Sequence, residues 1–253
     1  MRIFFKIIIL VFGFILSETA FSQSAQQALD AGQDVNVLYR NESTGGIFMH
    51  SRGFGANYRR YWHVTGKLKR LIEIEALNMK HPKEISEKSD LGGKSYKYGK
   101  MFGLLFLRAG VGFQRKLYER AERKSIEIRM LTTLGISLCF AKPVYLQVAY
   151  YDPYNPNTYS VKNEAYDQTV AQGDIVGRAP WFDGLQSLKV HPGLYGKLGF
   201  SFEYGSKTNA IKAIETGVTV DAFPKAVQTM AFNKAENFFV SLYVSFNLGK
   251  RWF

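Results

Sequence analysis

The sequence is poor in the features that mark a disulfide-stabilised protein or a protein that spans a membrane with helices. Its 253 residues include one cysteine, Cys139, so no internal disulfide can form. After Ser22, no run approaches the roughly 18 consecutive apolar residues that a spanning helix needs, although 46% of the residues are hydrophobic and 15% aromatic. The four histidines lie singly, without the local spacing of a zinc site. A chain of this kind could cross a membrane only as a closed β-barrel.

The first 22 residues have the three parts of a secretory signal peptide. Arg2 and Lys6 form a positive start, residues 7–16 are apolar, and Ala20 and Ser22 flank Phe21 in a small-x-small cleavage site. We expect cleavage after Ser22, which leaves one domain over residues 23–253. The residue directly after the site is not a cysteine, so no lipoprotein anchor is expected.

Residues 237–253 alternate between apolar and polar side chains. Successive side chains of a strand point to opposite faces, so one face of this segment is apolar and the other polar. The apolar parity carries Phe238, Val240, Leu242, Val244, Phe246 and Leu248, and the polar parity carries Ser241, Tyr243, Ser245, Asn247 and Gly249, with Phe239 as the apolar exception. This pattern and the terminal Phe253 resemble the closing strand of outer-membrane β-barrels of Gram-negative bacteria.

Eight alternating segments predict an all-β fold, an eight-stranded antiparallel up-and-down transmembrane β-barrel; a ten-stranded barrel is the alternative. The predicted strands cover residues 33–43, 45–62, 69–81, 96–117, 123–150, 185–206, 210–224 and 237–253, with a tight turn at 43–46. Short and long connections alternate, so we expect the long ones outside the cell and both termini in the periplasm. A soluble sandwich or lipocalin-like barrel is the competing fold, which the long strands and many aromatic residues disfavour.

The interior of an eight-stranded barrel is just wide enough for its own side chains. The inward parity carries charges of both signs: Glu73, Glu75, Arg108, Glu127, Arg129, Lys197, Glu203, Glu215 and Asp221. Buried charges must be paired, so we expect a cross-barrel salt-bridge network of the OmpA kind; a catalytic or proton-conducting set is the alternative. No histidine lies beside a nucleophile in a recognisable motif, and Cys139 is interpreted as a small packing residue. The sequence predicts no catalytic, cofactor or metal site.

Two further surfaces are predicted to contact partners. The net charge of +12, or +11 without the leader, concentrates at the predicted periplasmic edge. We predict a basic rim there for lipid headgroups or an acidic protein, not for nucleic acid: Arg59, Arg60, Lys67, Lys69, Arg70, Arg120, Arg123 and Lys124. Outside, the segment 152–184 is too long for a structureless link and rich in aromatic residues, and Tyr151, Tyr154, Tyr159 and Trp181 form the predicted extracellular partner loop.

Four short motifs carry a family resemblance. Residues 80–84, 98–100, 141–145 and 192–197 read KHPKE, YGK, AKPVY and PGLYGK. They are similar to segments of a family of uncharacterised outer-membrane β-barrels. The resemblance implies a membrane barrel without an enzyme site and, further, a subunit of an envelope machine for protein assembly or secretion. We therefore predict a non-enzymatic accessory or scaffolding subunit in the outer membrane. A lipid-active enzyme or a narrow channel or transporter is the alternative. Lys250, Arg251 and Trp252 are expected to interrupt the apolar phase of the closing strand.

Overall fold

The computed structural model describes residues 41–89, 91–118, 126–155, 158–167, 174–204 and 210–252. The predicted signal peptide, most of the first predicted strand and Phe253 lie outside these ranges. Within them, no helix combines the length and apolarity needed to span a bilayer.

The chain forms thirteen strands over the described residues. In chain order they are β1 (Asn41–His50), β2 (Gly53–His63), β3 (Leu68–Met79), β4 (Ser86–Glu87), β5 (Tyr96–Lys97), β6 (Phe102–Tyr118), β7 (Glu127–Pro143), β8 (Tyr145–Tyr151), β9 (Tyr159–Ala165), β10 (Ile175–Arg178), β11 (Lys189–Tyr204), β12 (Ala210–Val227) and β13 (Glu236–Trp252). A 3-10 turn covers Leu185–Ser187.

Eight of these strands close into an antiparallel barrel in the order β1, β2, β3, β6, β7, β11, β12, β13. Closure is made by β1 and β13, which pair from Asn41 with Trp252 to His50 with Tyr243. The predicted fold class is confirmed. We call the end with Asn41 and Trp252 the terminal end. The opposite end, where β3 connects to β6, β7 to β11 and β12 to β13, is the loop end.

The barrel turns its apolar side chains outward. Along β13, exposed and buried residues alternate, with Leu242 65% and Val244 56% exposed while Tyr243 and Ser245 are buried. Similar outward side chains occur on every barrel strand, including Ile47, Phe54, Ile74, Leu105, Leu134, Leu198 and Ile214. Removing one such side chain from water is favourable by about 1.5–3 kcal/mol. Removing dozens of them from water together is worth more than the roughly 5–15 kcal/mol by which a typical folded domain is stable. The barrel wall is therefore built for contact with lipid.

The first predicted strand and its turn are wrong in position. Residues 43–46 lie inside β1, and the segment predicted as one strand over 45–62 contains a tight turn at Ser51 and Arg52 between β1 and β2. Of the two glycines that suggested a turn, Gly46 serves a close approach instead: a Cβ on Gly46 would lie 2.2 Å from Oδ1 of Asn247 and 2.5 Å from the carbonyl oxygen of Phe246. The strand number stays at eight, because one predicted strand divides into two.

The predicted strand 123–150 is also too long. Its first part is β7, whereas β8 leaves the barrel and forms the centre of a three-stranded sheet in the order β10, β8, β9. Within the described part of the segment 152–184, β9 and β10 pair with the two sides of β8. A second small sheet pairs β4 with β5 in the connection between β3 and β6. The long connections thus build structured elements at the loop end.

Candidate functional site

The centre of the barrel interior holds a network of seven buried charges. Arg59 donates to Glu73, and its Nη1 and Nη2 donate to Glu215 at 2.5 and 2.9 Å. Lys197 donates to Glu73 at 3.0 Å and to Glu75 at 2.5 Å. All five side chains are at most 1% exposed. These residues come from β2, β3, β11 and β12, so their ion pairs span the lumen.

Arg108 extends this network towards the loop end. Its guanidinium donates to Asp221 at 2.9 and 2.5 Å and to Glu75 at 3.1 Å. The Tyr243 hydroxyl donates to Glu215 at 2.6 Å, and the Tyr195 hydroxyl lies 3.4 Å from Glu73. Three cations and four carboxylates therefore share one desolvated layer, with tyrosine hydroxyls as additional donors. Arginine is suited to such a layer because its planar fork can bind two oxygens at once.

A second network fills the terminal end. Glu42 accepts from Lys69 at 2.6 Å and from Arg251 at 2.9 Å. Arg129 bonds Glu127 at 2.7 Å and Glu203 at 3.0 Å, and Arg251 also donates to Glu203 at 2.5 Å. Between the two networks lies a cavity of about 10 Å³, roughly the space of one water molecule.

The loop end of the interior is apolar. Phe106, Phe223 and Phe239 pack with ring centroids 5.5–5.8 Å apart. Cys139 is buried in the same cluster. Phe239, the exception in the polar parity of the closing strand, thus belongs to an interior aromatic cluster. Charged side chains thus fill the terminal end and the centre of the lumen, and hydrophobic side chains fill its loop end.

All nine residues of the predicted interior network are buried, and all nine take part in one of the two ion-pair networks. Sequence reasoning missed further members of these networks, among them Glu42, Arg59, Lys69 and Arg251. Arg251 shares the parity of Tyr243 and Asn247, so it continues the polar phase. Trp252 falls on the opposite, outward parity and is 37% exposed, so it continues the apolar phase. Lys250 is therefore the single departure from the alternation between residues 250 and 252.

The predicted basic rim is partly wrong. Arg59 is 1% and Lys69 4% exposed, so both belong to the interior. Arg60 on β2, Lys67 in the turn between β2 and β3, and Arg70 on β3 are exposed. The Arg60 guanidinium lies 5.6 Å from the ring centre of Trp62 and 5.7 Å from that of Trp252. Arg120, Arg123 and Lys124 lie outside the described residues.

The four residues of the predicted partner loop fall into two places. Tyr151 and Tyr159 face each other across β8 and β9, with ring centroids 5.8 Å apart, and Tyr154 is 96% exposed in the turn between these strands. Trp181 follows β10, whose last residue pairs with Leu146 near the start of β8. Since β8 rises about 3.3 Å per residue, Trp181 lies near the base of the sheet and the tyrosines at its tip, roughly 20 Å away.

The histidines make separate local contacts. Nε2 of His50 lies 3.1 Å from the carbonyl oxygen of Asn78. His63 is 3.6 Å from Glu42, and His81 is 3.6 Å from Glu236. In the part of the chain that the structure describes, no group of histidine, cysteine and acidic residues has a geometry that could hold a metal ion.

No family model and no curated protein sequence matches the chain. Among solved structures, it is similar to Ail, the attachment invasion locus protein of Yersinia pestis, with 6% identity, a TM-score of 0.40, and coverage of 85% of this chain and 100% of that one. It is also similar to Neisserial surface protein A, with 9% identity, a TM-score of 0.41 and coverage of 85% and 97%. The outer membrane protein OprG from Pseudomonas aeruginosa has 10% identity, a TM-score of 0.34 and coverage of 85% and 96%. At this level of similarity, none of the three indicates what this chain binds.

The closed strand order, the apolar wall and the filled lumen together define the class of protein. The chain is an eight-stranded transmembrane β-barrel. In its fold it is a barrel of the outer-membrane type, as the sequence predicted.

Proposed function

We propose that this chain is a non-enzymatic barrel of the outer membrane that acts as an accessory or scaffolding subunit of a larger complex for protein assembly or secretion. It is exported by a signal peptide cleaved after Ser22. The observation that carries the proposal is the division of the molecule into a filled lumen and a folded sheet outside the barrel. A lumen without space for a substrate leaves the surfaces at the two ends as the parts that can contact other molecules.

The sheet at the loop end has the character of a protein-binding surface. Six of the seven residues of β9 are exposed, and β9 is an edge strand, so one row of its backbone groups faces outward. Tyr151, Tyr154 and Tyr159 cluster at the tip. Tyrosine is enriched in protein interfaces because it offers a large contact area at a low cost in side-chain entropy. An exposed edge strand can also accept an extended segment of a partner.

The terminal end offers a second surface. Arg60, Lys67 and Arg70 are exposed there, and the Arg60 guanidinium lies against the rings of Trp62 and Trp252. This combination of basic and aromatic residues is suited to the lipid headgroup region. An acidic periplasmic partner could bind the part of the rim that lipid leaves uncovered.

The proposal is tested by site-specific photocrosslinking in native membranes. A photoreactive residue in place of Tyr154 should give a discrete adduct with another protein. The same residue in place of Lys225, which is exposed at the loop end on β12, is the matched control and should give none. A chain that yields no adduct from Tyr154 and migrates alone after mild detergent extraction contradicts the subunit role. A changed acylation pattern of membrane lipids in a deletion strain would instead favour the alternative of a lipid-active enzyme.

A further inference from the structure

A groove of about 910 Å³ lies at the loop end, against the outer side of the barrel wall. Its apolar floor includes Leu105 and Leu107 of β6 and Phe140 of β7, and Leu105 pairs with Phe140 across the two strands. These side chains belong to the outward parity of the barrel, and Leu105 and Leu107 are 47% and 39% exposed. The floor of the groove is thus a continuation of the surface that contacts lipid.

The rest of the groove is strongly basic. Its lining includes six cationic side chains, contributed by Lys80, Lys94, Lys97, Lys100, Lys142 and Arg178, and no aspartate or glutamate among the described residues. Outside the lining, Glu84 binds Lys97 and lies 2.8 Å from Lys100, and Asp183 interacts electrostatically with Lys142, so two carboxylates offset part of the charge. Lys80, Lys94 and Arg178 are exposed. A net positive potential therefore covers an apolar floor.

The change from apolar to basic occurs along one strand. Leu138, Phe140 and Lys142 follow one another along the outward face of β7. Lys142 is therefore the next outward residue after Phe140 towards the loop end. Its ammonium lies 5.2 Å from the ring centre of Trp181, which also lines the groove. The apolar side chains would thus face the acyl chains of a phospholipid in the leaflet. The aromatic ring and the cation would lie at the level of its headgroup.

We propose that the groove binds a phospholipid with a net negative headgroup from the leaflet at the loop end. Its acyl chains lie against Leu105 and Phe140, and its phosphate is bound by Lys142 and Arg178. A zwitterionic phospholipid carries its own cation and has no net charge to offset the excess of basic side chains, and free phosphate would leave the apolar floor uncovered. The volume is within the range of small-molecule sites and far exceeds one phosphate ion. The inference requires only that the barrel spans a bilayer and is independent of the subunit role.

Native mass spectrometry of the full purified chain in a neutral detergent tests the proposal. The chain is mixed with phosphatidylglycerol or phosphatidylcholine of identical acyl chains. We expect at least tenfold higher retention of phosphatidylglycerol. The double variant Lys142→Glu, Arg178→Glu should lose at least tenfold of that retention, because it reverses two charges of the groove. Lys225→Glu makes the same type of change at the same end but outside the lining, and it should retain the lipid.

Three results would overturn the proposal. One is equal retention of the two lipids, and another is an equal loss in Lys225→Glu, which would indicate a general charge effect. The third is complete displacement of phosphatidylglycerol by millimolar inorganic phosphate, which would reduce the site to an anion site without an acyl contact. The shift in gel mobility between unheated and heated samples verifies that each variant is folded. Trp181→Ala provides a milder second variant in the exposed part of the groove, and it should weaken retention without a change of charge.

Discussion

Arg59 holds two carboxylates at the centre of the barrel, on two strands that are not neighbours of each other. Glu73 is on β3 and Glu215 on β12, and all three side chains are at most 1% exposed. Removing the arginine leaves both carboxylates buried with fewer donors. Breaking a buried pair in this way typically costs about 3–5 kcal/mol. We expect Arg59→Ala to lower the free energy of unfolding by that amount, measured by urea titration in detergent micelles.

The neighbouring arginine is the control for this prediction. Arg60 has the opposite parity and is exposed beside Trp62 and Trp252. Arg60→Ala removes the same charge from the surface, so its cost should stay below about 1 kcal/mol. Equal costs for the two variants would contradict the assignment of Arg59 to a desolvated network.

Gly199 makes room for an interior hydrogen bond. A Cβ at this position would lie 2.2 Å from the Tyr243 hydroxyl, which donates to Glu215 at 2.6 Å. We expect Gly199→Ala to displace the tyrosine and to destabilise the barrel by about 1–3 kcal/mol, as overpacking of a core does. The measurement is again the midpoint of urea unfolding.

Two further variants separate this effect from a general effect of alanine. Tyr243→Phe removes the atom with the shortest contact, so the double variant Gly199→Ala, Tyr243→Phe should be less destabilised than the sum of the single variants. Gly66→Ala, in the turn between β2 and β3, places its methyl group in open space and should be nearly neutral. Strict additivity in the double variant would contradict the proposed clash.

Residue types and parity predicted the interior charges on β3, β6, β7, β11 and β12, because alternation assigns a face to every residue once a strand is fixed. The same rule applied to consecutive basic residues would have corrected the rim. Arg59 and Arg60 are neighbours on one strand, as are Lys69 and Arg70, so only one member of each pair can face outward. What the sequence could not indicate is which carboxylates across the lumen meet Arg59, because that depends on the stagger of strands far apart in the chain.

At the scale of elements, Glu84 fixes the connection that contains β4 and β5. Its carboxylate accepts from Lys97 and from the backbone N–H of His81 at 3.0 Å, and it pairs with Lys100 at 2.8 Å. Partial burial opposes ionisation of Glu84, but the bonds from Lys100, Lys97 and His81 outweigh it, so its pKa lies below the ordinary value. A lowered pKa stabilises the folded connection above the ordinary glutamate pKa of about 4.3, and this stabilisation is lost as pH falls through the folded-state pKa.

We therefore expect the amides of β4 and β5 to lose protection in acid before the barrel does. Hydrogen exchange between pH 7 and pH 3, corrected for intrinsic rates, measures this. Glu84→Gln should show low protection at all pH values, since it removes the titrating group. If the wild-type connection keeps full protection at pH 3, Glu84 is not its main support.

The three-stranded sheet of β8, β9 and β10 is an addition to a complete barrel. The strands β7 and β11 pair with each other up to Ala141 and Lys189, so the barrel ladder is closed without the segment between them. Replacing residues 144–188 by a short hairpin turn should leave a folded barrel, detected by its heat-dependent gel mobility. Loss of that mobility shift would show that the sheet is needed for barrel formation.

The boundaries of these elements were harder to predict than their existence. Alternation continues from β7 through the break at Val144 into β8, so periodicity alone joined them into one strand. The tight turn at Ser51 and Arg52 has no glycine or proline at its two central positions. Gly45 and Gly46 gave a false turn signal, and at Gly46 the reason is close packing between strands, which also selects glycine. Local signals cannot separate these two uses, which depend on neighbours distant in the sequence.

The molecule as a whole follows from composition and parity. Without apolar runs long enough for a helix, an apolar outer face and a charged inner face are compatible with a bilayer only in a closed sheet. The aromatic cluster at the loop end of the lumen was not predicted, since Phe239 was treated as an isolated exception. Its partners Phe106 and Phe223 lie on β6 and β12 and come together only on closure. Sequence parity therefore establishes the wall, whereas the packing inside it depends on the stagger of the strands.

This packing predicts that the barrel does not conduct ions steadily. An ion entering from the terminal end meets the network around Glu42 and Arg129 and then the network around Arg59 and Lys197, separated by a cavity of about 10 Å³. Beyond Arg108 and Asp221, the aromatic cluster closes the path with side chains that cannot replace the water of a hydrated ion. In planar bilayers, we expect the purified wild-type chain to give no steady current at potentials up to about 100 mV.

The double variant Phe106→Ala, Phe239→Ala removes two rings of the cluster. The ion pairs nearer the terminal end should still close its lumen, so brief openings are the most it should show. A steady current through the wild-type protein would contradict a lumen closed by its own side chains. It would favour the alternative function of a narrow channel.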